Sequence, residues 1–509
     1  MDILLSDKIK LADAFTIQNE PISSIDLMER AALSCAKRLS ELITNQQSIF
    51  IACGEGNNGG DGFAIARLLL SKKYNVKVLA LRVKNKYSSD AEVNFKKLKG
   101  NYPDVIIPIS CADDLEKLKL TANRILIDAI LGTGIKGHVE ENLSEIIGWF
   151  NHNFKHIISI DVPSGLKTDT SSFDEKNIIH STLTLSLELP KLAFLMPENQ
   201  KFVPHFEIIP IGLHATGIAE QKSNMHFIQT ETIIHLLRLR NKFDHKGKFG
   251  HALILAGAKD KPGAALICSE ACLRSGAGLL TLHSCKSVLK SLTIKLPEAM
   301  HSLDEHSSFI TSVEKPENYE AIAFGPGIGT QEETQTVLKK ILQFYTGKLI
   351  IDADGLNILS ENKTWFNFLI PNTILTPHVK EFERLVGKCI DDFERVAKQI
   401  ELAVKYNIIV ILKGAHTSIA MPDGHVYFNS TGNPGLAKGG SGDALTGIIL
   451  GLLSRGYNAP QASLIGVYIH GMAADLCSEN MSEESILISD VINELPKAFK
   501  ILEKLKTPE

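Results

Sequence analysis

Several things are missing from this sequence, and each absence removes a class of function. No apolar run in its 509 residues approaches the ~18–20 needed for a helical membrane span. Charge of one sign is missing too. Fifty-four basic residues against fifty-eight acidic ones leave a formal net charge of −4, without the basic excess or stripe of a phosphate-backbone binder. No nucleic-acid partner is expected. The eight cysteines stand at positions 35, 53, 111, 268, 272, 285, 389 and 477, and no two form the CxxC pair of a zinc or dithiol centre. Cys268 and Cys272 lie one helical turn apart beside Ala264, Ala265 and Ala271, a pattern that predicts buried small-residue packing. The opening Met1-Asp2-Ile3-Leu4-Leu5-Ser6-Asp7 carries acids where a secretory signal wants a basic region, so a cytoplasmic location is expected. No GxxxxGK[ST] segment occurs, which leaves Walker-type nucleotide hydrolysis unsupported.

The length exceeds what one ordinary core holds, and 44% hydrophobic with 22% charged residues is a globular balance, so two substantial domains are expected. Met28, Ala32, Cys35, Leu39 and Leu42 recur at helical spacing. After them short apolar runs alternate with helical stretches. Strands are predicted at 48–53, 76–81, 105–109, 125–130 and 157–162, then at 252–256, 321–324, 348–352, 373–376 and 408–412. A glycine-rich segment feeding an apolar helix follows at 439–453. Strands separated by helices mean an α/β fold whose parallel sheets are covered on both faces. The rhythm breaks around residues 212–230, which places one domain at 1–222 and the other at 228–509. No fixed-period repeat is visible.

In the first half, Gly54-Glu55-Gly56-Asn57-Asn58-Gly59 follows a strand and fits the GxGxxG pattern that lets a backbone approach phosphates at a helix N-terminus. The acid that holds a ribose ~20 residues on is missing, since the next strand ends Leu79-Ala80-Leu81-Arg82. Spacing alone therefore leaves a tight turn and a ligand loop both open. Two further loops end strands: Asp128-Ala129-Ile130-Leu131-Gly132-Thr133-Gly134-Ile135-Lys136-Gly137 and Asp161-Val162-Pro163-Ser164-Gly165. Ligands bind at the carboxyl ends of parallel strands, and three polar loops there read as one site.

The segments Asn57-Asn58-Gly59-Gly60-Asp61-Gly62, Asp128 with Gly132-Thr133-Gly134, and Asp161 to Gly165 resemble the amino-terminal domain of the NAD(P)H-hydrate repair enzymes. The resemblance implies a Rossmann-like epimerase. It would interconvert the R and S forms of NAD(P)HX, in which water has added across a nicotinamide ring double bond. Carried over by position, Asn57, Asn58, Gly59, Gly60, Asp61, Gly132, Thr133, Gly134, Ile135, Lys136, Gly137, His138 and Asp161 would contact the hydrate, with Asp161 also catalytic. Asn58, Asp128 and Ser164 would ligate a potassium ion, a hard cation suited to oxygen donors. One departure is Ala32 in Met28-Glu29-Arg30-Ala31-Ala32, where the family usually has glycine.

The second half contains Gly439-Gly440-Ser441-Gly442-Asp443 at a helix entrance. Asp443 has two readings, a helix N-terminal stabiliser or a base that takes a proton from a hydroxyl attacking phosphorus. Its companions are Lys413-Gly414-Ala415-His416-Thr417, Gly325-Pro326-Gly327-Ile328-Gly329, Asp352-Ala353-Asp354 and Thr376-Pro377-His378-Val379-Lys380-Glu381, each at a strand end. His378 and Glu381 have metal-pair spacing without a third ligand, so zinc is not expected. With Lys246-Gly247-Lys248-Phe249-Gly250-His251 and Pro262-Gly263-Ala264-Ala265, these segments resemble the ribokinase-like dehydratase domain of the same family.

That resemblance implies a nucleotide-dependent dehydratase acting on the S epimer, using ADP in bacteria and archaea and ATP in eukaryotes, with magnesium accompanying the nucleotide. Lys413, Gly414, Ala415, His416, Thr417 and Gly442 would hold the nucleotide. Ala264, Gly327, His378 and Asp443 would contact the hydrate, and Asp443 would be catalytic. The family reads His-Pro-Gly-Glu where this chain has His378-Val379-Lys380-Glu381. A homo-oligomer is also implied. The alternatives are a hydroxymethylpyrimidine-type kinase, which would release a stable phosphorylated product, and a non-catalytic interaction module in the first half.

Overall fold

The computed structural model describes residues 1–83, 86–135 and 137–507. Its contacts divide the chain into one unit of Asp2–Ser223 with Asp391–Phe393, and another of Asn224–Ile390 and Glu394–Glu509 with Met1. Among the described residues, no helix is long and apolar enough to cross a membrane.

The first unit holds a seven-stranded, all-parallel sheet: β1 (Ser48–Cys53), β2 (Asn75–Leu81), β3 (Ile106–Ile109), β4 (Arg124–Ala129), β5 (Ile157–Ile160), β6 (Leu183–Leu187) and β7 (Phe206–Ile209), ordered β3-β2-β1-β4-β5-β6-β7. β1 shows why the sheet is covered on both sides. Its side chains alternate across the sheet: Ile49, Ile51 and Cys53 join a core with Ala32, Cys35 and Leu39, whereas Phe50 and Ala52 join another with Ile146, Phe150 and Phe154. Helix Ser24–Leu42 begins where the Ser23 side chain accepts the Asp26 N–H, an N-cap, and buries Met28, Ala32, Cys35 and Leu39 on one face. The strand order reverses between β1 and β4, which opens a crevice at their carboxyl ends.

The second unit contains β8 (Met225–Phe227), β9 (His251–Leu255), β10 (Leu279–Ser284), β11 (Met300–Leu303), β12 (Ala321–Phe324), β13 (Lys348–Ile351), β14 (Ile374–Leu375), β15 (Ile409–Leu412), β16 (Ser418–Ala420) and β17 (Val426–Phe428). The sheet runs β11-β10-β9-β12-β13-β14-β15-β16-β17-β8, parallel from β11 to β15 and antiparallel at β15–β16 and β16–β17. The expected cysteine pair is buried on helix Pro262–Arg274. A Cβ at Gly447 or Gly451 of helix Ser441–Ser454 would stand 2.2 Å from the Cys268 carbonyl oxygen or 2.5 Å from that of Cys272. Those glycines set how closely the two helices approach. Gly447→Ala is expected to cost about 1–3 kcal/mol by overpacking, read from urea unfolding followed by Trp365, this unit's single tryptophan. An unchanged midpoint would show that the helices separate freely.

Candidate active sites

In the first unit, the carboxyl ends of β1, β4 and β5 deliver three loops to a cavity of about 840 Å³. Their closeness is enforced by glycine: a Cβ at Gly54 would lie 2.0 Å from the Ile130 carbonyl oxygen. Gly56 and Gly134 have nothing within 4 Å of a Cβ position and line the cavity, leaving backbone open to a ligand. Gly56 is the N-cap of helix Asn57–Ser71, so the helix's free N–H groups open beside that space. Asn57, Asn58, Asp61, Gly132, Thr133, Gly134, Ile135, His138 and Asp161 line it as expected. Gly59 and Gly60 do not: their Cβ positions fall 1.9 Å from the Gly54 oxygen and 2.7 Å from the Met28 sulfur, so these glycines serve packing. Gly137 is not on the wall either, and Lys136 lies outside the described residues.

Asn58 and Ser164 are linked through Leu131, and Asp128 joins them through Ser164. Asn58 Nδ2 donates to the carbonyls of Leu131 (2.9 Å) and Ile160 (3.1 Å), and Ser164 Oγ accepts the Leu131 N–H (2.9 Å). Asp128 accepts the Ser164 hydroxyl (2.5 Å) and N–H (2.9 Å) and the Ser159 hydroxyl (2.8 Å). Burial raises its pKa, against the pull of those donors. Asn58 Oδ1 is buried without a hydrogen-bond partner. An unsatisfied amide oxygen beside two main-chain carbonyls is a donor set that suits a hard monovalent cation.

Beside this cage stands a group of acids that the motifs only partly disclose. Asp161 sits at φ +65°, a conformation uncommon for a residue with a side chain, and Lys191 Nζ lies 2.6 Å from its carboxylate. Lys191 is 1% exposed and also donates to Ser186 Oγ and the carbonyls of Leu187 and Leu189. Burial, with Asp161 and Asp13 nearby, holds the Asp61 carboxyl well above the usual carboxylate range. Burial and Asp161 push Asp13 up to about 6, against the pull of Lys191. Neither Asp13 nor Lys191 was expected from the sequence. Asp13 lies within a helix, and Lys191 follows a strand with no glycine signature.

In the second unit the carboxyl ends of β12, β13, β14 and β15 converge on the N-terminus of helix Ser441–Ser454. Lys413 Nζ is 3.0 Å from Asp352 Oδ1 and 4.0 Å from Glu381 Oε2, and Thr446 donates to Asp352 Oδ2 (2.8 Å). A Cβ at Gly442 would be 3.0 Å from Lys413 Nζ, so only glycine lets the lysine cross the helix entrance without displacement. Burial alone would lower the Lys413 pKa, but Asp352 and Glu381 outweigh it and raise it. Asp443 occupies the helix's first turn. Burial and Asp352 push its carboxyl up to about 6, against the pull of Lys413.

The remaining expected residues frame this group. Gly414 and Thr417 close a turn through mutual hydrogen bonds (3.3 and 3.0 Å). His416 Nδ1 is 3.0 Å from the Asn429 carbonyl, and burial lowers its pKa. Ala415 lies between them on the same turn. Gly327, at φ +59°, would bring a Cβ to 3.0 Å from Ala264 Cβ, and Lys261 nearby pairs with Asp354 (3.2 Å). His378 is the N-cap of helix Val379–Val386. Its Nδ1 accepts the N–H groups of Lys380 and Glu381, while Glu381 Oε2 accepts the His378 N–H, forming a capping box. The His378–Glu381 spacing is thus explained without a metal. His470, missed in the sequence, is buried with Nε2 unpartnered, and burial and Lys413 push its pKa down to about 4.

Residues 252–497 match the family described as NAD(P)H-hydrate dehydratase, and residues 24–193 match the family described as YjeF-related protein N-terminus. The chain is 31% identical to the bifunctional NAD(P)H-hydrate repair enzyme of Thermofilum pendens, over 99% of this chain and 97% of that protein. It is 31% identical to that of Moorella thermoacetica over 95% and 94%, and 28% identical to that of Escherichia coli over 95% and 90%. The ADP/ATP-dependent NAD(P)H-hydrate dehydratase of Bacillus subtilis, co-crystallised with ATP/Mg2+, superposes with a TM-score of 0.50 at 34% identity, covering 55% of this chain and all of that one.

Proposed function

The chain belongs to the family of bifunctional NAD(P)H-hydrate repair enzymes, and we propose that it restores hydrated NADH and NADPH in two steps, one in each unit. The first unit interconverts the R and S epimers of NAD(P)HX. The second removes water from the S epimer, using ADP or ATP with magnesium. One observation carries this reading: a part-buried acid, Asp443, and a lysine, Lys413, whose charge acts on it, stand at the glycine-lined entrance of a helix.

Hydroxide is a poor leaving group near neutrality, so the dehydration needs activation. At the helix entrance, backbone N–H groups and Lys413 hold the nucleotide's terminal phosphates, with Gly414, Ala415, His416, Thr417 and Gly442 completing the nucleotide site. Ala264, Gly327 and His378 frame the hydrate. Asp443 takes the hydroxyl proton as its oxygen attacks phosphorus. The C–O bond then breaks with its electron pair leaving as phosphate, driven by the ring nitrogen, and loss of a ring proton restores the double bond.

In the first unit, the open helix N-terminus at Gly56–Asn58 receives the pyrophosphate, and Gly132–Ile135 and His138 line the rest of the hydrate. Asp161, fixed by Lys191, is the anion that stabilises positive charge on the ring. Asn58, Asp128 and Ser164 would hold a potassium ion, which would supply a fixed positive charge where the β4 and β5 loops meet. All eight cysteines are free, which supports a reducing compartment such as the cytoplasm.

The test is an R/S NADHX mixture with ADP or ATP in parallel, followed by the near-ultraviolet absorbance of restored dihydronicotinamide. Near-complete recovery is expected, because the first unit feeds R into the S-specific site. Recovery of only the S share would remove the epimerase. Asp128→Ala should weaken the potassium response of epimerisation by about 10–100-fold, the scale seen when a partner orienting a metal ligand is lost. Dehydration of pure S substrate should be spared, and equal loss of both activities would refute separate sites.

A further inference from the structure

The cavity of the first unit holds more acid than binding requires. Asp13, on helix Ser6–Asn19, lines the same wall as Asp61, Asp161 and Lys191. Lys191 and the Leu187 N–H engage the Asp161 carboxylate. Among the described residues, the side chains of Asp13 and Asp61 have no hydrogen-bond or ion-pair partner. Lys191 therefore pairs with one of three carboxyls on this wall, and the other two line the ligand space unpaired. The other ionisable groups on the wall are Lys10, one turn before Asp13, and Glu55, Lys86, His138 and Glu140.

We propose that Asp13 is the proton donor and acceptor of epimerisation, acting on the hydroxyl of the bound hydrate. The inference rests on the epimerase reading of the first unit. The reacting carbon bears both the hydroxyl and the ring nitrogen. The Asp13 carboxyl gives its proton to the hydroxyl oxygen, and the C–O bond breaks with its electrons leaving in water. The nitrogen lone pair forms the C=N bond, and Asp161 faces the resulting cation. The ring then turns its other face to Asp13, water adds there, the C=N pair returns to nitrogen, and the surplus proton goes back to Asp13. No other reagent enters.

The division of labour follows from the contacts. Asp161 is tied to Lys191, which fits an anion and not a proton carrier. Asp61 is 9% exposed, whereas Asp13 is only part-buried at the cavity wall. Burial and Asp161 place the Asp13 carboxyl at about 6, close to working pH, where proton transfer in both directions is efficient.

The full-length enzyme provides the test. With R-NADHX and excess nucleotide, epimerisation limits the appearance of NADH, and S-NADHX reports on the other unit. Asp13→Asn should slow conversion of the R form by about 10²–10⁴-fold. S dehydration and R-NADHX binding, measured without nucleotide, should stay within about threefold, and Asp13→Glu should recover part of the rate. After subtraction of uncatalysed interconversion, wild-type kcat/KM for epimerisation should fall about tenfold per pH unit above pH ~6, and the Asn variant should lose that limb. An Asn variant within about threefold of wild type, or one that loses binding along with activity, overturns the assignment. A wild type inert toward R-NADHX would instead sink the epimerase reading on which it rests.

Discussion

Asp443→Asn is expected to slow dehydration of S-NAD(P)HX by about 10²–10⁴-fold without unfolding the protein. The substitution keeps the side chain's size and removes its basicity. Wild-type kcat/KM should rise with pH up to about 6, the value to which burial and Asp352 lift this carboxyl, and then level off; the Asn variant should lack that limb. Stability should move the other way. A raised carboxylate pKa means that the folded state binds the proton more tightly than the unfolded one, so its stabilising effect is fully present at low pH. That effect is lost as pH rises through the window from about 4 to about 6. At neutral pH the ionised Asp443 therefore weakens the fold by up to about 3 kcal/mol, and the neutral Asn should match or exceed wild type in urea. If Asp443 only stabilised the helix terminus, the variant would keep its turnover and lose about 0.3–1 kcal/mol. Near-wild-type dehydration would exclude the base, and R-to-S epimerisation measured without nucleotide is the control.

The parallel cores were legible because their strands are buried on both faces and read as continuous apolar runs. Ser48–Cys53 is a strand in sequence and structure alike. β6, Leu-Thr-Leu-Ser-Leu, alternates with polar residues and follows a long loop, so its pattern was too weak to separate from its surroundings. β16 and β17 are three residues each, shorter than any periodicity can register. The site was legible where glycine marks a strand end, and glycine also misled. At Gly56 and Gly134 the missing side chain leaves open space, but at Gly59 and Gly60 it admits neighbouring protein atoms. The same letters in one motif thus serve two physical ends. Asp13, Lys191 and His470 could not be found from local pattern at all, because their significance arises when distant segments enclose them. Asp352 was visible as a strand-end acid, but its pairing with Lys413 spans 61 residues.

That pairing carries the largest expected loss of stability. Asp352 is 1% exposed, and both its oxygens are used, one by Lys413 and one by Thr446. Burial would raise its pKa, but Lys413 outweighs burial and holds it below the ordinary carboxylate value. A lowered folded-state pKa adds stability above the unfolded value of about 3.9, lost as pH falls toward the folded one. Asp352→Ala removes the nearer counter-charge and leaves the Lys413 ammonium, 21% exposed, with Glu381 at 4.0 Å as its remaining ion-pair partner. Breaking a buried pair from one side costs about 3–5 kcal/mol, whereas replacing both partners by apolar groups is often neutral. Asp352→Ala should therefore lower the unfolding midpoint of the second unit sharply, and Asp352→Ala/Lys413→Met should recover most of it. Each unit has one tryptophan, so Trp365 fluorescence in a Trp149→Phe background isolates the relevant transition. The double variant should still bind nucleotide poorly, because the lysine that crosses the helix entrance is gone. Were the double variant as unstable as Asp352→Ala alone, the cost would come from lost packing and not from an uncompensated charge. The ion pair would then have no part in holding Lys413 across the helix entrance.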